Sequence, residues 1–238
     1  MNRRVNVIGT CFSLLVFLAA SNGIASGAQL IAEQTATQAS SETESYFAKA
    51  QASRNAKDYK AALEHINKVI ELEPNNPKWH CEAAAVSIDA GDVDGANQHV
   101  NQAVKLDADK SVVPDFIKNI TEQARTSAEA KQWAQALNGF NVALGFDPKN
   151  VGLLIDRSAV RHRMKDFNGA VVDMNDAIKL SPKVADLYAL RALYKVQIGD
   201  TASADADCDK AEEMQADPRL IEDARIAIEK AMAPKKKK

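Results

Sequence analysis

The chain has 238 residues, 46% of them hydrophobic, 26% charged and only 5% aromatic, with a formal net charge of −2. That length suits one large domain or a modest array of repeats. Arg3, Arg4 and Lys235 to Lys238 place six basic residues at the two ends, so the body is acidic and lacks the clustered basic face of a nucleic-acid binder.

Residues 1–28 read as an export signal. Arg3 and Arg4 form a positive start, Val7 to Ala20 form a mostly apolar run, and Ser26-Gly27-Ala28 supplies small residues for cleavage before Gln29. Ala25 offers another cut. The rival reading is an uncleaved anchor, although the apolar run falls short of the roughly 20 residues that span a bilayer. The expected location is therefore periplasmic or secreted. Residues 29–42, rich in Ser, Thr, Gln and Ala, read as a flexible leader.

From Thr43 a block of 34 residues recurs five times, over 43–76, 77–110, 117–150, 151–184 and 185–218. Each block holds two stretches with apolar residues at i, i+3, i+4 and i+7, the spacing of an amphipathic helix. Small side chains recur at unit position 8 (Ala50, Ala84, Ala124, Ser158, Ala192) and at position 20 (Ala62, Ala96, Ala136, Ala170, Ala204). Position 27 holds Val69, Ala103, Ala143, Ala177 and Ala211. Such residues let two antiparallel helices approach at the short end of the usual 8–10 Å range. Ile66, Val100, Phe140, Met174 and the smaller Cys208 fill position 24, and the apolar residues at positions 28 and 30 are expected to pack on the next unit.

This pattern resembles the tetratricopeptide repeat family, with its small residues at 8, 20 and 27 and proline near 32 (Pro74, Pro148, Pro182). The resemblance covers residues 43 to 218. It implies an all-α fold, a right-handed α-solenoid of five helix–turn–helix units. Ala108 and Ala216 stand where the proline belongs in two units. The family's aromatic at position 11 is replaced by Ser53, Ser87, Ser127, Arg161 and Lys195, which suggests wetter interfaces within the units.

Six extra residues, Ser111 to Phe116, precede the third unit. Pro114 fits the first turn of a helix lengthened toward its N-terminus; a loop bulging to solvent is the alternative. After the fifth unit, Asp217 can cap a helix with Pro218 as its first residue, running over 219–233, whose Leu220, Ile221, Ala224, Ile228 and Ala231 form one apolar stripe. This has the character of a solenoid's capping helix. The basic tail, 234–238, is a solubilising end or a weak electrostatic contact with anionic membrane or envelope polymer.

No catalytic constellation, phosphate loop or metal-ligand spacing appears, and no cofactor, catalytic or metal site is assigned. His65 and His99, both at position 23, read as solvated, and His80 as a packing residue. Cys81 and Cys208 lie three units apart, too far for the roughly 7 Å that a disulfide needs. Asn119-Ile120-Thr121 is a glycosylation sequon in a eukaryotic source.

The family resemblance places the working surface in the groove lined by first-helix positions 2, 5, 9, 12 and 13. Carried over, these give a groove of Lys118, Arg125, Glu129, His162 and Arg163, a basic trough suited to an acidic or extended peptide. Phe47, Gln51 and Asp156 break the family's clamp for chaperone C-termini, because Asp156 stands where an Asn is needed. The expected role is a non-enzymatic scaffold or adaptor that binds a protein or peptide. The alternative is an envelope-assembly or self-oligomerising component using its convex face or end caps.

Overall fold

The computed structural model describes residues 27–107 and 110–233. Among them are eleven α-helices and no strand. The export signal before Gly27 and the tail 234–238 lie outside the described residues. The chain divides between Pro74 and Asn75 into two compact units.

The first unit pairs α1 (Gly27–Asn55) with α2 (Tyr59–Leu72). Ala50, Ala62, Ile66 and Val69 are buried between them. The stretch read as a flexible leader is helical and continuous with α1, and its residues 32–42 are exposed. No proline or glycine interrupts the chain between Gly27 and Asn55. The Thr35 and Thr37 hydroxyls donate back to the carbonyls of Ala32 (2.9 Å) and Glu33 (2.7 Å), so these polar side chains find partners within the helix.

The second unit contains four helix pairs and a final helix. The pairs are α3 (Pro77–Ala90) with α4 (Val93–Leu106), α5 (Val112–Glu129) with α6 (Trp133–Phe146), α7 (Val151–Arg163) with α8 (Phe167–Leu180), and α9 (Asp186–Gln197) with α10 (Thr201–Glu213). Helix α11 (Pro218–Met232) packs on both α9 and α10 and buries Ala224 and Ile228 with Ala192, Val196, Ala204 and Cys208. These are the contacts expected of a cap.

The small residues sit where backbones meet. Every residue at position 20 is fully buried, and those at positions 8 and 27 are at most 3% exposed. The plugs at position 24, from Ile66 to Cys208, are also buried. Positions 28 and 30 behave less uniformly. Leu144 and Ile178 are buried, but Val104, Phe146 and Leu180 are 40–45% exposed. Val104 belongs to the unit followed by the six-residue insertion.

The turn inside each pair repeats with equal regularity. Lys57, Gly91, Lys131, Lys165 and Gly199 all have φ between 61° and 82°. The next residue is Asp58, Asp92, Asp166 or Asp200, whose carboxylate accepts from a backbone N–H three residues on. Gln132 takes this place before α6 and makes no such bond. Three lysines therefore hold a left-handed backbone that glycine adopts freely. Lys165→Gly is expected to stabilise the protein by up to about 1 kcal/mol, the relief of the left-handed strain outweighing the added freedom of the unfolded chain. A urea denaturation midpoint that falls would contradict this.

The inserted residues extend a helix. Helix α5 begins at Val112, with Pro114 in its first turn, and Ser111 makes no side-chain cap. The buried Asp107 carboxylate does that work instead, accepting from the N–H groups of Val113 (2.8 Å) and Ser111 (3.2 Å). These backbone bonds, led by Val113, hold its carboxyl below the usual carboxylate range.

The missing position-11 aromatics are replaced by charge in the last two repeats. Arg157 grips the fully buried Asp173 through two bonds (2.6 and 3.1 Å) and donates to Asn141 of the preceding pair (3.0 Å). Arg161, at position 11, adds bonds to Asp173 (2.8 Å) and to the Gly169 carbonyl (3.1 Å). One repeat later Arg191, Asp207, Asn175, Lys195 and the Ser203 carbonyl form the same arrangement. These interfaces are closed by buried ion pairs and are not simply wetter. Arg225 of α11 continues the register, bonding Asp209 (2.8 Å), Asp205 (3.1 Å) and Glu212 (3.1 Å) of α10.

Candidate functional site

Lys118, Thr121 and Arg125 lie three to four residues apart, so one face of α5 presents all three. Facing them are Phe146 at the end of α6, Asp147 and Asn150 in the connection, and Leu153 of α7. Pro114 and Ile117 complete a cleft of about 300 Å³. The inserted turn thus contributes part of the wall. The floor is apolar, with Ile117 and Leu153 buried and Phe146 40% exposed.

The polar groups are already partly committed. Thr121 donates its hydroxyl to the Ile117 carbonyl (2.8 Å). Arg125 pairs with Asp156 of α7 (2.9 Å) and Glu122 of its own helix (2.8 Å). Asp156 is the main cause of the guanidinium's raised affinity for its proton. Its carboxylate therefore neutralises the groove from within. Asn150 caps α7 by accepting from the Leu153 N–H (3.1 Å), and its amide donates to Asp147 (3.1 Å). Lys118 is exposed on the rim.

Of the groove residues read from sequence, Lys118 and Arg125 line the cleft; Glu129, His162 and Arg163 are not among its lining residues. Glu129 and Arg163 are exposed. His162 is half-buried, with its ring centre 5.4 Å from that of Phe167 and 5.1 Å from that of Tyr194. Burial pushes its imidazole below the ordinary range and the Arg163 charge adds to this, so it serves as an aromatic wall and not as a cation. With Arg125 paired to Asp156 and Glu122, and with Glu122 and Asp147 themselves lining the opening, the expected basic trough is a mixed cleft in which apolar side chains sit beside charges of both signs.

His65 and His99 also depart from their sequence reading, whereas His80 packs as expected. His65 is half-buried against Tyr46 (ring centres 6.3 Å apart), and His99 is half-buried against His80 (5.7 Å). Positions 4 and 23 are ring-packing partners, so position 23 does not face solvent. Cys81 and Cys208 are free and buried, and burial pushes the Cys81 thiol up to about 12. Asn119 is exposed, but the Thr121 of its sequon is buried within α5. Among the described residues no helix is long and apolar enough to cross a membrane, and no group of three or more His, Cys, Asp or Glu is placed to hold a metal. Sequence reasoning missed Phe146 and Pro114 as cleft residues. The recurring Asp at position 23 with Arg at position 7 was a readable signal of the buried ion pairs.

A family model described as tetratricopeptide repeat matches residues 43–76, the first of the five blocks. Small glutamine-rich tetratricopeptide repeat-containing protein 2 of Mycosarcoma maydis is 28% identical over 123 residues, covering 52% of this chain and 33% of that protein. The chain is a tetratricopeptide repeat protein. A second repeat protein, tetratricopeptide repeat protein 36 of Danio rerio, is 32% identical over 94 residues, covering 38% of this chain and 49% of that one. The chain thus spans a third to a half of the length of these curated relatives. Among solved structures, the first TPR of Spaghetti (RPAP3) bound to an HSP90 peptide is similar at 20% identity, with a TM-score of 0.45, covering 50% of this chain and 94% of that one.

Proposed function

We propose that this repeat protein is a non-enzymatic interaction module that receives an extended peptide or partner helix in the cleft between α5 and α7. The observation that carries the reading is the cleft itself. It sets an apolar floor of Ile117, Phe146 and Leu153 beside convergent polar and charged groups, and its volume lies at the lower end of the usual range of about 300–1,000 Å³. Phe146 offers a partly exposed ring for an apolar anchor, and Lys118 offers a charge for a carboxylate at the rim. Export to the periplasm or the secreted space belongs to the same reading, on the strength of the Arg3-Arg4 start and the apolar run that follows.

The test is affinity capture with the full chain as bait beside a Lys118→Glu/Phe146→Ala variant. The variant is expected to keep its helicity and melting temperature and to lose the specific partner. Equal recovery of that partner by both baits would refute the cleft assignment.

A further inference from the structure

The His80 and His99 pair is not used by the cleft. Their Nδ1 atoms lie 3.4 Å apart and their ring centres 5.7 Å apart. The second distance is what the first plus two ring radii amounts to. Both nitrogens therefore lie on the line joining the ring centres, with their in-plane lone-pair directions pointed at each other. In the first repeat the same two positions hold Tyr46 and His65, where only one ring carries nitrogen. Ring packing at these positions is shared by the first two repeats; head-on nitrogens are particular to this pair.

We infer that His80 and His99 form a two-nitrogen site for a monovalent copper ion, Cu(I). The geometry selects the ion. Zinc takes tetrahedral ligands at about 2.0–2.1 Å, so its donors must converge at an angle, and these two nitrogens face each other along one line. No third His, Cys, Asp or Glu is placed to complete a tetrahedron among the described residues. Cu(I) accepts imidazole nitrogen and is stable with two ligands opposed across it. The two rings need only separate slightly from their hydrogen-bonded distance, each carrying its remaining proton on Nε2. Both rings are half-buried, which limits competition from solvent for the space between the two nitrogens. Binding is a simple coordination of the ion, with no change in its oxidation state.

The experiment titrates the reduced full chain anaerobically against Cu(I) held by bicinchoninate, with Zn²⁺ titrated separately. The native chain is expected to withdraw one copper, and its X-ray absorption edge should carry the signature of linear two-nitrogen coordination. His80→Phe and His99→Gln should each weaken that copper by more than the roughly 10–100-fold that loss of a ligand's hydrogen-bond partner causes. His80→Phe is expected to fold, because position 4 already accepts aromatic side chains in Tyr46 and Tyr188. Uptake unchanged in both variants would assign the copper to thiols and overturn the inference. Failure to withdraw copper, or zinc binding in preference to it, would overturn it as well.

Discussion

Asp173→Ala is expected to lower the unfolding free energy by about 3–5 kcal/mol, the cost of leaving buried cationic partners unmatched. Asp173 is fully buried, and two arginines converge on it from α7. Removing the carboxylate takes away the ion pair of Arg157 among the described residues and leaves Arg161 with only Asp166 at 3.6 Å. Their side chains are 19% and 21% exposed, so partial hydration places the effect toward the lower end of that range. Urea denaturation of the variant beside the native chain measures it. A companion variant, Arg157→Met/Arg161→Met/Asp173→Leu, should recover most of the loss, because apolar replacement of a whole buried ion cluster is often neutral or better. A single alanine variant that melts like the native protein would show that these charges are solvated in solution.

Phe140→Ala should cost a comparable amount, about 3–5 kcal/mol, through lost burial and the cavity left behind. Phe140 is 1% exposed and plugs the α5–α6 interface from position 24. Its surroundings have little room to collapse. A Cβ built on the neighbouring Gly139 would come within 2.9 Å of the Ala124 side chain, so the two backbones are already in close approach. The fifth repeat supplies an internal control. Cys208 occupies the same position with a much smaller side chain, and Cys208→Ala should cost only a fraction as much. Equal losses at the two sites, read by thermal or urea melts, would mean that position 24 is not the plug of each pair.

Much of the fold was legible in the residues because its information is periodic. A small residue at position 20 in all five blocks has one economical physical reading, close approach of two helices, and all five are fully buried. The cap at α11 was readable for the same reason, since its apolar stripe and the Asp217-Pro218 start are local signals. Residues 29–42 were misread because polar composition suggested flexibility, whereas the stretch has no proline or glycine and enough Ala, Gln, Leu and Glu for α1 to extend through it.

The cleft was only half legible. Unit position told which face of α5 Lys118 and Arg125 occupy, but position carries no account of what lies opposite. Asp156 looked like a defect in a ligand clamp, and in the structure it is the partner of Arg125. His162 looked like a groove cation until Phe167 and Tyr194 enclosed it. Phe146 was expected to pack on the next unit, and it instead faces the cleft beside the inserted turn.

The sequence by itself determined the repeat, its phase, the small-residue seams and the turn chemistry, because each depends on residues close together along the chain. Tertiary structure alone decided which charges are cancelled, which rings meet and where an opening remains. Asp173 with Arg157 and Arg161, Arg125 with Asp156, and His80 with His99 are separated by 12 to 31 residues. Their meeting depends on how side chains from different helices fill shared space, and a 34-residue period does not encode that.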